Sequence, residues 1–209
     1  MDILVNGVSA KLDKRGCRHL GALFVKLQTN HITDQHVLVS FLVNGVEHVE
    51  STPEELCLIP SKEVTRLEVE TATPRELALK SLADVQEYTA RVLVALDTAA
   101  DTIFSKEHSQ ESMGTFHDVV KLFDGWVFPV LMKVAELYQI DLSTIVVEGK
   151  SLLDEIDHFI LHVEHGVDAL ERSAYEDFSV LLRERLSGSV TIIREAFIDL
   201  YQIVYNSGR

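Results

Sequence analysis

The sequence predicts an α+β protein, with a small β-rich domain over residues 1–73 followed by an all-α domain, an antiparallel four-helix bundle, over residues 74–209. Three observations carry that expectation. Apolar residues fall in short β-type runs before Thr73 and recur at helical spacing after it. Two Asn-Gly pairs, Asn6-Gly7 and Asn44-Gly45, separate β-rich runs, and this pair favours a two-residue hairpin because both turn residues need positive φ. Four long stretches in the second part repeat apolar residues three and four apart, with short connections.

Taken in order, residues 3–5 and 8–12 read as strands around Asn6-Gly7. Leu20, Leu23, Phe24 and Leu27 follow at helical spacing. Residues 37–43 and 46–49 make a second hairpin around Asn44-Gly45. Thr52 before Pro53 caps a single helical turn, and the alternating run VTRLEV at 64–69 is the last strand.

Thr73, Pro74 and Glu76 then form an N-cap, a first-turn proline and a capping-box acid, so a long helix begins there. Its stripe is Ala78, Leu82, Val85, Val92, Leu96, Ala99 and Ile103, with Thr89 filling one slot. The segment KEHSQESMG breaks the pattern, and GTFHD within 111–118 reads as a loop or cap. Phe116, Val120, Phe123, Val127, Val130, Val134 and Leu137 mark a second helix, kinked at Pro129. After a connection with a short helical turn comes a third, striped by Leu153, Ile156, Ile160, Val163, Val167 and Leu170. Ser173 and Glu176 form another capping box, and a fourth helix runs from Phe178 to Val204 with Gly188 as its weak point.

The order strand, strand, helix, strand, strand, short turn, strand over residues 1–72 resembles the β-grasp fold, the ubiquitin-like and ThiS/MoaD-like architecture. The opening hairpin ILVNGVSAKL and the final strand VTRLEVET carry the likeness. Carriers of this fold act through a free C-terminal diglycine. Here the last strand runs into TATPREL and the chain ends NSGR, so the resemblance implies topology without carrier chemistry.

Composition narrows the function. The formal charge is -14 over 209 residues, a field that repels phosphate backbones and anionic lipid, so neither a nucleic acid nor a membrane surface is expected as partner. MDILVNGVSA lacks the basic leader of a signal peptide, and no run approaches the roughly eighteen apolar residues of a membrane span. Cys17 and Cys57 have no metal spacing and read as reduced thiols, which fits a cytoplasmic protein. Glycine-rich phosphate loops, a GxSxG elbow and HExxH are all missing, so no catalytic residue and no cofactor is assigned.

One stretch, EIDHFILHVEH, invites a metal. On an ideal wheel with His158 at zero, His162 falls near 40°, His165 near -20° and Glu155 near 60°. These four are the candidate ligands, and two histidines four apart can chelate a transition metal. The apolar stripe centres near 180°, opposite them, which makes a solvated face the preferred reading. An inward di-iron set would need a matching Glu-x-x-His on the second helix, which carries none. Leu93 and Val94 lie outside the stripe of the first long helix and are the candidate interface. The function expected is a non-catalytic protein-binding or scaffold protein acting through a protein partner or self-association. The alternative is a metal-binding protein or metal-dependent enzyme built on the histidine face.

Overall fold

Each asparagine of the two Asn-Gly turns does more than turn the chain. In the computed structural model, which describes residues 1–33, 35–105 and 109–207, all four turn residues have positive φ. Asn6 joins β1 (Asp2–Val5) to β2 (Val8–Ser9), and its side chain also accepts from the Thr71 amide at 2.8 Å. Asn44 joins β3 (Val37–Val43) to β4 (Val46–Glu47), and its Oδ1 accepts from the amides of Thr65 and Arg66. Both hairpins are thereby tied to β5 (Arg66–Ala72). The sheet order is β2-β1-β5-β3-β4, with β1 parallel to β5 and the other pairs antiparallel. This mixed sheet is compatible with a β-grasp-like start. Helix α1 (Leu20–His31) and the short α2 (Pro53–Leu58) belong to the same unit, whose core is built around Ile3, Leu20, Leu27, Phe41, Leu67 and Val69.

β1 starts one residue early, at Asp2, and three further strands differ from expectation. β2 pairs only over two residues. β4 stops at Glu47, whose carboxylate accepts the amides of Phe41, His48 and Val49; the His48 amide also donates to Phe41 O at 2.8 Å, the last cross-strand bond of the hairpin. β5 starts later and runs to Ala72, because β3 is long enough to pair with it up to Val37.

The chain divides into two compact units, Met1–Leu77 and Ala78–Arg209, so the first turn of the next helix counts with the sheet. The protein is α+β, with an N-terminal mixed sheet and a C-terminal helical region. Among the described residues, that region holds four long helical runs. The first is α3 (Pro74–Thr102), opened by the expected capping box: Thr73 Oγ1 accepts from Glu76 N at 3.2 Å and Thr73 N donates to Glu76 Oε2 at 2.8 Å. The second is α4 (Ser109–Leu122), a π turn over Phe123–Val127 and α5 (Phe128–Tyr138). The third is α6 (Leu152–Glu171) and the fourth α7 (Tyr175–Val180), a π turn over Leu181–Leu186 and α8 (Ser187–Asn206).

Several expectations are corrected here. GTFHD is helical, because α4 already starts at Ser109 and buries Ser112, Phe116 and Val119. Part of the expected break, residues 106–108, lies outside the described residues. At Pro129 the helix carries a π turn just before the proline. The proline lacks the amide that would bond four residues back, and the preceding π turn, with Phe128 N donating to Phe123 O, makes room for its ring. Ser173 does not start α7. It ends α6: its φ is 55°, its amide donates to Leu170 O, and the Ala174 amide donates to Ala169 O, the paired bonds of a Schellman stop. The connection before α6 contains a 3-10 turn at Leu142–Thr144 and also a small hairpin, β6 (Val146–Val147) with β7 (Lys150–Ser151). Its turn residues Glu148 and Gly149 both have positive φ.

Candidate functional site

Helix α6 is turned relative to the wheel drawn from sequence. Its buried residues are Leu152, Glu155, Phe159, Gly166 and Ala169. On the same ideal wheel they centre roughly 75° from His158, about 100° away from the expected stripe. Phe159 decides this. Its ring stacks on Phe123 at 4.4 Å and meets Phe128 edge-on at 5.6 Å. Gly166 offers no side chain where the Phe116 ring arrives; a Cβ there would sit 2.7 Å from that ring. One large aromatic and two small residues thus face the core, with half of the apolar stripe leaning on it beside them.

The rotation splits the four candidate ligands. Glu155 enters the core at 3% exposure. Its Oε1 accepts from Ser189 Oγ of α8 at 2.5 Å. Its Oε2 lies 3.6 Å from His158 Nδ1 and 3.7 Å from Lys150 Nζ, and has no hydrogen-bond partner among the described residues. His162 is half-buried, and its Nδ1 likewise has no partner among them. Burial, and then the Arg185 guanidinium, hold its pKa below the usual histidine value, against the pull of Glu155. His158 and His165 are exposed.

Glu155, His158 and His162 share a cleft of ≈ 240 Å³ with Lys150, Glu184, Arg185, Gly188 and Ser189. His165 leaves that group and lines a separate cavity with Arg172, Glu176 and Asp177. Among the described residues, no three His, Cys, Asp or Glu side chains gather closely enough to hold a metal ion. The cleft can receive a small polar group, with two carboxylates, two imidazoles and two cations within its walls. The partners from the fourth run were not visible in the sequence. Glu184 and Arg185 sit on a π turn, whose extra residue shifts the helical register that a wheel assumes.

The candidate interface on α3 is also divided. Val94 is 69% exposed, while Leu93 packs partly against the core of the second unit. Trp126 meets Tyr88 of α3 edge-on at 5.3 Å, and Arg91 lies over the same tyrosine ring. Both cysteines are unpaired. No helix among the described residues is long and apolar enough to cross a membrane.

More apolar surface remains on α6. The turned helix leaves Leu153 at 41%, Ile160 at 47% and Val167 at 44% exposure. Ile156, Val163 and Leu170 lean on the core beside them. The expected stripe therefore survives as a half-uncovered seam.

Searches against family models, curated proteins and solved structures find no match to this chain.

Proposed function

We propose that this chain is a non-catalytic protein-binding or scaffold protein, a cytoplasmic β-grasp-like domain joined to an antiparallel four-helix bundle. The observation that supports it is the seam on α6, where Leu153, Ile160 and Val167 are left partly exposed at heptad spacing. Fully burying one such side chain is worth roughly 1.5–3 kcal/mol, so three left partly exposed in one row favour a surface that something covers. The charge of -14 argues against nucleic acid as that partner. The test is affinity capture from the source cell with the wild-type chain and with a Leu153→Gln, Ile160→Gln, Val167→Gln variant. Proteins recovered by the first and lost by the second support the reading. Identical recovery contradicts it.

A second reading is a metal-binding protein using Glu155, His158 and His162. It is favoured by the two unpartnered buried atoms, Glu155 Oε2 and His162 Nδ1, in one cleft. It requires side-chain rotation to bring three ligands together, and it loses His165. Elemental analysis of untagged protein, followed by zinc and nickel titration of wild type and His162→Ala, separates the two readings.

A further inference from the structure

We infer that the partner of the α6 seam is a basic amphipathic helix, an inference that rests on the binding reading above. The spacing names a helix. Leu153, Ile160 and Val167 occupy one heptad position, and Ile156, Val163 and Leu170 the position three residues on. That is the a/d pattern into which another helix sets its side chains. The charge beside the seam names the flank of that helix. Asp157, Glu164 and Glu171 recur with the same heptad period, directly outside the exposed row. All three are exposed, and none forms an ion pair among the described residues. The other side of the seam is closed by Leu152, Phe159 and Gly166, which belong to the chain's own core. A docking helix therefore meets apolar side chains along its centre and carboxylates along one edge. Lysine or arginine on that edge gains opposite-charge contacts and faster association.

A second copy of the chain fits less well. Paired antiparallel, the two seams set one acidic row against the other. Paired parallel, each acidic row faces the side of the partner that is already filled by its core. An anionic membrane is repelled by the same row.

The experiment uses the full chain and a synthetic peptide of about three heptads, with leucine at a and d and lysine at e and g, so that it does not pair with itself. A scrambled peptide of equal composition is the control. Anisotropy titrations at low and high salt should show saturable binding, at least about tenfold tighter than to the control and weakened by salt. The Leu153→Gln, Ile160→Gln, Val167→Gln variant should lose about tenfold or more while keeping its melting temperature. Should that variant melt early, Ile160→Lys alone takes its place. Asp157→Gln, Glu164→Gln, Glu171→Gln should weaken binding and flatten the salt dependence. Equal binding of both peptides, or indifference to the seam variants, overturns the inference. So does a wild-type dimer in light scattering that the seam variant turns into a monomer, since a second copy is then the occupant. If the peptide fails while cellular capture still depends on the seam, the basic helix falls and the binding reading stands.

Discussion

Glu155 is half-satisfied in the core, and that state has measurable consequences. Its Oε1 depends on Ser189, and its Oε2 has only longer contacts to Lys150 and His158. Ser189→Ala strips the one short bond and should cost about 1–3 kcal/mol, as expected for a buried polar atom left unpaired. Glu155→Met removes the polar group at similar length and should be close to neutral or stabilising. Chemical denaturation of both variants checks the pair; a large loss in Glu155→Met would show that the carboxyl group is a structural anchor. His162 adds a pH signature. Its folded pKa is depressed, while the unfolded chain takes up that proton near the ordinary value of 6.5. Between the two, the unfolded state binds more protons, so stability is full above about 6.5 and is lost as pH falls through the folded value. The exposed carboxylates with lowered pKa, such as Glu47 and Glu76, act below their ordinary 4.5, in a separate window. Melting temperatures from pH 7.5 to 5 should fall in wild type and fall less in His162→Gln. An unchanged slope in the variant would assign the effect elsewhere.

At the scale of elements, two helical glycines make opposite predictions. Gly166→Ala places a methyl 2.7 Å from the Phe116 ring, itself locked edge-on against Phe178 at 5.3 Å. Overpacking of this kind costs about 1–3 kcal/mol and outweighs most of the helix propensity that alanine gains. Gly188→Ala meets nothing within 4 Å and should gain roughly 0.5–1 kcal/mol. Thermal melts of the two variants in parallel decide it; a stabilised Gly166→Ala would mean that α6 is not turned as described. These same residues mark the limit of the sequence. The hairpins, the cap at Thr73 and the four helical runs were legible because turn chemistry and apolar period are local signals. The buried face of α6 was not, because Gly166 and Ala169 count for nothing in an apolar stripe, and their value lies in what a neighbouring helix inserts there. The cleft was half-legible: Glu155, His158 and His162 share one stretch, while Lys150, Arg185 and Ser189 come from two other segments. Ser173 misled because serine before an acid reads as a start, whereas its left-handed backbone serves a stop.

For the whole molecule, the first unit has its own core and sheet, without a residue beyond Leu77. Residues 1–77 expressed alone should give a dispersed amide NMR spectrum with modest stability, since a chain of this size buries only about 60% of its unfolded surface. Collapsed, narrow signals would show that the unit relies on the helical region. The core, the cleft and the proposed binding seam all follow from which way α6 faces. Carbene footprinting of the isolated full chain, read residue by residue by mass spectrometry, tests that orientation most directly. Labelling at Leu153, Ile160 and Val167 with protection at Phe159 and Ala169 is the predicted result. Labelling at Phe159 with protection of Ile160 would contradict it, returning α6 to the orientation of the sequence stripe and removing the seam on which the function rests.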